Sequence, residues 1–471
     1  MAVDDAEGDW GPESIPPRSS GPKRLIPPKD LEHTSAAPRN TEPLNSIHSG
    51  GTSQYENSSP WARLGRRFTR PLFARSTSSI SSFQTLPSIG QADSEEYSIE
   101  VGSPQALILS TPTLENAEYR RRLREAVDRL KNDFVSGARE MADSAISALS
   151  DLIEAAAVTA ENRDELWKMA VVAAKALSEA RPSMSAAITS CLLRALEEIR
   201  RLWETLDEKK NKSAVDLAAM SRRQLMRILE QRKEAGIRLG ENFAERLKAY
   251  CRQQECLNNT HSLTILTLSN SSTIRSSILT TLSTLRFLHL TLHILESRPR
   301  FEGADMASQI LSSISAEARA RLRVRIHPDC AVATAAKDAD MVLLGADRIS
   351  AKGDVSNKIG SLAAAICVKA MNPKAQVVVV SDGDKIVAPD AEEGEKEVHP
   401  DSEMMEAWGD DTRREVAKRI EGDGVEVFGE WFEWVSAGYV DGYVTEKGTL
   451  DTGGVEKAAA EIGELKRQIF D

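Results

Sequence analysis

The sequence contains few cysteines, few aromatic residues and no long apolar run. Its 471 residues include five cysteines, and Phe, Trp and Tyr together make up 5% of the chain. The cysteines are odd in number and widely spaced, so they predict neither a disulfide framework nor a metal site and favour a reducing compartment. No uncharged apolar run approaches the ~18 residues of a membrane helix, and the acidic start resembles neither a secretory signal nor a transit peptide. We therefore expect a cytoplasmic protein that does not contact a membrane.

Basic residues are also in deficit. The chain has 60 Lys and Arg and 71 Asp and Glu, which gives a net charge of −11. This balance argues against a nucleic-acid partner because phosphate backbones are bound by clustered Lys and Arg. Residues 386–430 alone hold 15 acidic and five basic residues, a net charge of −10, so the remainder is near neutral and compatible with an anionic ligand. We expect this stretch to be an exposed excursion with one short helix over Thr412–Ile420.

Proline and serine are concentrated at the start of the chain. Thirteen of the 19 prolines fall at or before Pro112, and 17 serines lie within the first 100 residues. Such a composition cannot bury enough apolar surface to offset the entropy of ordering, which predicts a disordered tail over residues 1–110. Residues 61–75 combine five arginines with aromatic side chains. A docking or phosphorylation segment and a solvated tail both fit that pattern, and the solvated tail is favoured.

Residues 111–257 have a helical pattern. Apolar residues recur at spacings of three and four, and no proline occurs between Pro112 and Pro182. Thr113 is a candidate N-cap for the first helix. The pattern predicts an N-terminal helical domain, with further helices over Ile146–Ala157, Glu165–Ala180, Ala186–Leu206 and about Ser213–Gln254.

Beyond Asn258, short β-branched runs alternate with helical stretches. This alternation predicts an α/β domain over residues 258–471, with a parallel, doubly wound sheet whose ligand crevice lies at the carboxyl ends of the strands. The predicted strands are Leu263–Leu268, Leu285–Leu295, Met341–Leu344 and Val377–Val380, and the predicted crossover helices are Ser272–Thr284, Ala304–Ile314 and Lys358–Ala370.

Polar residues follow three of these strands. The loop that contains Ser269 precedes a helix and can present hydroxyl and N–H groups to an anion, although ordinary helix capping explains the same residues. Arg298, in the second loop, can bind a phosphate or form an ion pair with a nearby glutamate. Asp347 suits acid–base chemistry or helix capping. Asn357 and Lys358 are predicted to open a helix whose N-terminus favours an anion.

Together these loops resemble a known family. That family joins methylthioribose-1-phosphate isomerase and ribose-1,5-bisphosphate isomerase with the α, β and δ subunits of eukaryotic translation initiation factor 2B. The resemblance covers roughly residues 115–471 and rests on Ala180-Arg-Pro-Ser-Met184, Ile265-Leu-Thr267, Glu296-Ser-Arg-Pro299 with Glu302-Gly303, Gly345-Ala-Asp-Arg-Ile349 with Gly353-Asp354, Asn357-Lys-Ile-Gly360, and Phe432-Glu-Trp-Val435 with Thr445-Glu-Lys-Gly448.

The resemblance implies a helical domain followed by a Rossmann-like domain of the sugar-isomerase/CoA-transferase type, assembled as a dimer or larger homo-oligomer. It also implies aldose–ketose isomerisation of a small phosphorylated sugar such as methylthioribose 1-phosphate, in methionine salvage, without a metal or an organic cofactor. Asp347 would be the catalytic acid or base. Asn357 and Lys358 would bind the phosphate or hydroxyls of the substrate, and Arg181 would contact its phosphate. Glu302, at a substrate-binding position, stands where the isomerases often carry Gln.

The sequence departs from the isomerase pattern at one important position. Thr267-Leu268-Ser269-Asn270 replaces Thr-His-Cys-Asn, so Ser269 stands at the place of the catalytic cysteine. A thiol ionises far more readily than an unassisted serine hydroxyl, which counts against turnover. Ser436 also stands where a proline is usual. The alternative function is therefore a non-catalytic regulatory subunit, related to initiation factor 2B, that has translation-factor partners and keeps the pocket as a sensor. A vestigial pocket is a third hypothesis.

Overall fold

The computed structural model describes residues 117–207, 212–253, 261–391, 396–420, 422 and 424–471. Several sequence-based predictions lie outside these ranges: the disordered tail over 1–110, the Thr113 cap and the boundary between residues 257 and 258.

Five helices form the first part of the described chain: α1 (Ala117–Lys131), α2 (Ala138–Ala157), α3 (Arg163–Ser178), α4 (Ser185–Asp207) and α5 (Ala214–Gln253). Their apolar faces share one core, in which Leu149 and Leu192 are fully buried. The buried Trp203 links α4 to α5, because its Nε1 donates a hydrogen bond to Ser221 Oγ at 3.0 Å. The helical character of this region is confirmed, although α2 begins at Ala138 rather than at the predicted Ile146.

Ten strands follow: β1 (His261–Leu268), β2 (Leu288–Leu295), β3 (Leu322–His327), β4 (Met341–Leu344), β5 (Arg348–Ile349), β6 (Val355–Lys358), β7 (Gln376–Val380), β8 (Phe432–Val435), β9 (Gly442–Thr445) and β10 (Gly448–Leu450). Seven of them form a sheet in the order β10-β9-β7-β4-β1-β2-β3, parallel except for β10. β5, β6 and β8 form a small antiparallel sheet. The predicted α/β fold with a parallel sheet is confirmed.

The helices of this part are α6 (Ser272–Thr284), α7 (Glu302–Ser313), α8 (Ala316–Arg319), α9 (Val332–Ala336), α10 (Ser361–Met371), α11 (Asp401–Met404), α12 (Asp410–Ile420) and α13 (Thr452–Ile469). α6 has the predicted bounds, and Ser271 caps it by accepting the Ile274 N–H. Within the described ranges, no helix combines the length and the apolar character needed to cross a bilayer.

The predicted start of the helix over Lys358–Ala370 is wrong. Asn357 and Lys358 are the last two residues of β6, where they pair with Glu433 and Phe432 of β8. Gly360 follows at a φ of 99°, a left-handed conformation that glycine adopts without steric cost. α10 therefore begins at Ser361, and Asn357 and Lys358 do not form a helix N-terminus.

The acidic stretch 386–430 is less exposed than its charge predicts. The predicted short helix is present as α12, but α11 precedes it. His399 is buried, and its ring stacks on that of Trp431 with the centroids 4.1 Å apart. One part of the stretch therefore packs against the folded chain because an aromatic pair and an ion pair, described below, hold it there.

Candidate functional site

A cavity of about 270 Å³ lies between the helical region and the loops at the carboxyl edge of the main sheet. The start of α2 and the turn between α3 and α4 form one wall, and the loops after β1 and β4 form the other. Six of the seven residues singled out from the sequence line this cavity: Arg181, Ser269, Glu302, Asp347, Asn357 and Lys358.

Ser269 follows β1 directly and has a left-handed backbone, with a φ of 63°. Its N–H donates to Ser297 Oγ at 2.8 Å, and its own hydroxyl donates to Glu302 Oε2, also at 2.8 Å. A non-glycine residue in this region is strained, and the two hydrogen bonds offset part of that cost. The Ser269 hydroxyl therefore has a carboxylate acceptor, which the sequence does not reveal.

Glu302 links Ser269 to a lysine. Its second carboxylate oxygen, Oε1, accepts a hydrogen bond from Lys358 Nζ at 3.2 Å. The same ammonium lies over the Trp431 ring, 4.2 Å from the centroid, where cation and ring attract each other. A serine, a glutamate, a lysine and an aromatic ring thus form a continuous chain along the cavity.

Asp347 lies between β4 and β5, and its N–H donates to Ser356 O of β6 at 2.9 Å. Burial raises the pKa of its carboxyl above the ordinary value. Lys385 and then Lys358 oppose that rise, and the negative charge of Glu302 adds to it. A carboxyl group in such a setting suits proton transfer near neutral pH better than an exposed aspartate does.

Asn357 is buried beside Asp347. Its Nδ2 donates to Ser361 Oγ at 2.9 Å. A Cβ at Gly345 would lie 3.4 Å from Asn357 Oδ1, so the glycine leaves the amide room to approach the β4 end. The amide is therefore fixed in orientation by α10 and by the backbone beside the cavity.

Arg181 lines the cavity, is 4% exposed and is paired with the acidic stretch. Its Nε and Nη2 donate to the Glu397 carboxylate at 3.3 and 3.1 Å, and Ser183 Oγ donates to the same group. Its guanidinium also lies 4.7 Å from the Phe134 ring centroid. The acidic stretch thus supplies the carboxylate that compensates this arginine.

Arg298 does not line this cavity, although it lines a smaller one together with Glu302 and Lys358. Its side chain is exposed, and Nη2 donates to Met404 O at 3.4 Å. Its backbone N–H donates to Asp329 Oδ2 at 2.8 Å. Among the described residues, the Arg298 side chain therefore bonds a backbone carbonyl and forms no ion pair with a glutamate, so its phosphate-binding role stays a prediction.

The cavity residues that the sequence reasoning missed include Arg139, Arg275, Lys385 and Trp431. Lys385 follows Val377–Val380, a predicted strand, by five residues, so the strand-end rule applied to the other loops would have found it. Arg139 and Trp431 had no such signal, because the first lies on a helix and the second directly follows the acidic stretch. Among the described residues, no group of three His, Cys, Asp or Glu side chains has a metal-binding arrangement.

Comparisons with known proteins agree with this fold. The model of the initiation factor 2 subunit family matches residues 134–452. Methylthioribose-1-phosphate isomerase from Yarrowia lipolytica is 25% identical over 210 residues, which cover 42% of this chain and 54% of that protein. The enzyme of that name from Pseudomonas fluorescens is 31% identical over 166 residues, which cover 35% and 42%. The chain thus spans about half the length of these relatives.

One solved structure with the same fold is the tetrameric eIF2B β2δ2 complex from C. thermophilum. A chain of that complex matches with a TM-score of 0.52 and 15% identity, over 73% of this chain and 95% of that one. The present chain is an α/β protein in which a helical region packs over the carboxyl edge of the sheet and encloses the cavity. Because the family model covers more than half of the sequence, the chain belongs to the initiation factor 2 subunit family.

Proposed function

We propose that the cavity binds a small phosphorylated sugar and that Asp347 provides acid–base catalysis of its aldose–ketose isomerisation. The observation that carries this proposal is the position of Asp347. Its carboxyl lines a cavity of about 270 Å³ and has a pKa raised by burial, while Ser269 and Glu302 line the same cavity. The carboxyl groups of Asp347 and Glu302 are two acid–base groups around one small cavity. Such a cavity suits a reaction that moves protons between oxygens of one substrate.

Positive charge around the cavity supports an anionic ligand. Lys358 and Lys385 both line it, and Arg275 does so from the first turn of α6. Backbone N–H groups at the start of α6 add to this field, because the N-terminus of a helix favours anions. We assign phosphate binding to this cationic side, with Asn357 and Lys358 in contact with the phosphate or neighbouring hydroxyls and Arg181 behind them.

The reaction balances with Asp347 alone as the proton carrier. Protonated Asp347 gives its proton to the ring oxygen as the bond between that oxygen and C1 breaks. The hydrogen on C2 then moves with its bonding electron pair, as a hydride, to the electron-deficient C1. The C2 hydroxyl becomes a carbonyl by returning its proton to Asp347. Substrate and product are isomers, so no proton, electron pair or co-reactant is left over. A raised pKa favours this cycle because both protonation states of Asp347 are accessible.

Methylthioribose 1-phosphate is the first substrate to test, since that is the substrate in the name of the curated relatives. A role in methionine salvage and a homo-oligomeric state follow from the same resemblance and belong to the proposal. The hydrogen bond from Ser269 to Glu302 supports turnover, because the carboxylate gives the serine hydroxyl a proton acceptor.

A regulatory subunit is the second candidate. Ser269 in place of a thiol favours it, because a ligand sensor needs the pocket but not the nucleophile. Such a protein would bind a sugar phosphate without converting it and would have translation-factor partners.

One experiment separates the two functions. The full chain is incubated with methylthioribose 1-phosphate and with ribose 1,5-bisphosphate, and the sugars are followed by NMR. Conversion that disappears in Asp347→Asn supports the isomerase, and Ser269→Cys shows whether a thiol increases the rate. Thermal stabilisation by either sugar without conversion supports the sensor. Neither conversion nor stabilisation would reject both functions in favour of a vestigial pocket.

A further inference from the structure

Lys385 is a buried lysine at the cavity. It closes a short turn, Gly383–Lys385, that follows β7, and it is 9% exposed. Its Nζ donates a hydrogen bond to Ala346 O, the carbonyl directly before Asp347. The ammonium therefore lies beside the backbone that carries the proposed acid–base residue.

The turn is held by charged groups from three helices. Arg139 of α2 binds Asp382 through Nε at 2.9 Å. Arg232 of α5 binds Asp384, and Arg194 of α4 approaches the same carboxylate at 3.4 Å. We call these three arginines and two aspartates the arginine cluster. Because carboxylates on both sides of Gly383 are fixed, the cluster determines where Lys385 can lie.

The turn is also held from the sheet side. The Gly383 N–H donates to Glu446 Oε2 at 2.9 Å, and Ile386 forms a bridge to Ile349 of β5. An ammonium with four flexible methylenes usually remains in water. Its burial here therefore results from a turn that is fixed on two sides.

Among the described residues, the charges that act most strongly on Asp347 are those of Lys385, Lys358, Glu302 and Arg181. Glu302 compensates Lys358, and Glu397 compensates Arg181. Among the described residues, no carboxylate lies within ion-pair distance of Lys385, whose recorded partner is a neutral carbonyl. The field of its ammonium is thus left to act on Asp347, where it is the strongest of the four charges.

We propose that Lys385 is the positioning residue that stabilises the ionised form of Asp347 and so sets the pH range in which this carboxyl can exchange a proton. The proposal rests on the proposed acid–base role of Asp347. Lys385 does not itself need to touch the substrate. It acts through Asp347, and the arginine cluster acts through Lys385.

A double-mutant cycle tests the coupling without any ligand. Thermal unfolding of the full chain at neutral pH is measured for wild type, Lys385→Met, Asp347→Asn and the double variant. If the ammonium stabilises the carboxylate, Lys385→Met lowers Tm more in wild type than in the Asp347→Asn background. The two drops in Tm should differ by about 2–4 °C or more. Lys385→Gln replaces Lys385→Met if the latter does not fold. Equal Tm changes in the two backgrounds would overturn the proposal.

Lys374→Met is the matched control. Lys374 is exposed, and its substitution removes the same charge far from the cavity loops. Its effect on Tm should be the same in both backgrounds, because screened surface charges couple weakly over such distances. A Lys374 coupling as large as that of Lys385 would mean that net charge, and not position, explains the result, which also overturns the proposal.

The pH dependence of turnover gives a second readout. Removing the ammonium raises the pKa of Asp347 further. Because ring opening needs the protonated carboxyl, the basic limb of the rate profile moves to higher pH in Lys385→Met and returns in Lys385→Arg. An unchanged profile in an active Lys385→Met contradicts the proposal. If wild type converts neither sugar, the proposed isomerase fails, and the mutant cycle still decides whether Lys385 and Asp347 are coupled.

Discussion

The Ser269 hydroxyl donates a hydrogen bond to Glu302 Oε2 at 2.8 Å, and the other oxygen of that carboxylate binds Lys358. Ser269 is thus one member of a charged chain, in which it pairs directly with Glu302. The pair should be studied together, because replacing either residue changes the environment of the other.

Glu302→Gln should tighten the binding of a sugar phosphate. The substitution keeps an acceptor for Ser269 but removes a negative charge from the cavity and frees the Lys358 ammonium. We expect a gain in affinity of at least about threefold, from the Coulomb energy of one charge in a partly screened cavity. Calorimetric titration with methylthioribose 1-phosphate at fixed ionic strength measures it. The exposed Glu415→Gln is the control, and unchanged or weaker binding in Glu302→Gln contradicts the prediction.

Asp347→Asn should stabilise the protein at neutral pH. The folded-state pKa of Asp347 is raised above its ordinary value of 3.8. At pH values between 3.8 and the raised pKa, the folded state therefore binds more protons than the unfolded state. The free energy of unfolding that this group contributes therefore falls as pH rises through that window. The neutral amide has no such loss. Tm should be higher in Asp347→Asn at pH ~7, with a smaller difference near pH ~4.

The opposite result would be a Tm advantage of Asp347→Asn over wild type that is larger near pH ~4 than near pH ~7. It would mean that Asp347 is held as a carboxylate by its lysine neighbours more strongly than burial opposes it. Scanning calorimetry at several pH values in buffers of constant ionic strength distinguishes the two outcomes.

Glu397→Ala should destabilise the fold by about 2–4 kcal/mol, because it leaves the buried Arg181 guanidinium without its carboxylate. The matched control is Glu415→Ala, whose pair with Lys418 is 61% exposed on the glutamate side and is expected to change stability by less than ~0.5 kcal/mol. Urea unfolding of both variants measures the difference. Equal losses would show that the acidic stretch does not need this contact.

Gly303→Ala should be among the most damaging substitutions near the site. A Cβ at residue 303 would overlap the Leu295 carbonyl oxygen at the end of β2, where only backbone movement can make room. We expect a loss of about 2 kcal/mol or more, together with a displaced Glu302. Gly409→Ala is the control, because no heavy atom lies within 4 Å of the Cβ it would add. A Gly303→Ala protein of wild-type stability would contradict the close approach.

Local sequence signals predicted the elements that local interactions determine. α6 has the expected bounds because Ser271 caps it, and β4 matches Met341–Leu344 because four consecutive apolar residues are buried there. β3, at the edge of the sheet, was missed although Arg323 and Arg325 alternate with apolar residues. That alternation is the local signal of a half-buried strand, so β3 could have been predicted from the sequence.

Contacts distant in sequence explain the remaining differences. Asn357 and Lys358 form a strand because β8, more than 70 residues later, pairs with them. The compensation of Arg181 by Glu397 spans 216 residues. Neither relationship leaves a spacing that a reader of the sequence could recognise. The predicted cavity residues were found from strand ends, or in the case of Arg181 from the family resemblance, whereas the partners that set their charges were not found.

The arginine cluster has a consequence for any hybrid made from this protein and a relative. Arg139, Arg194 and Arg232 lie in the helical region, while Asp382 and Asp384 lie on the turn after β7. A helical region from a relative that lacks these arginines would leave two aspartates without their cations, beside the lysine next to Asp347. The helices and the sheet of this protein therefore have to be exchanged together, or the five charged residues transferred with them.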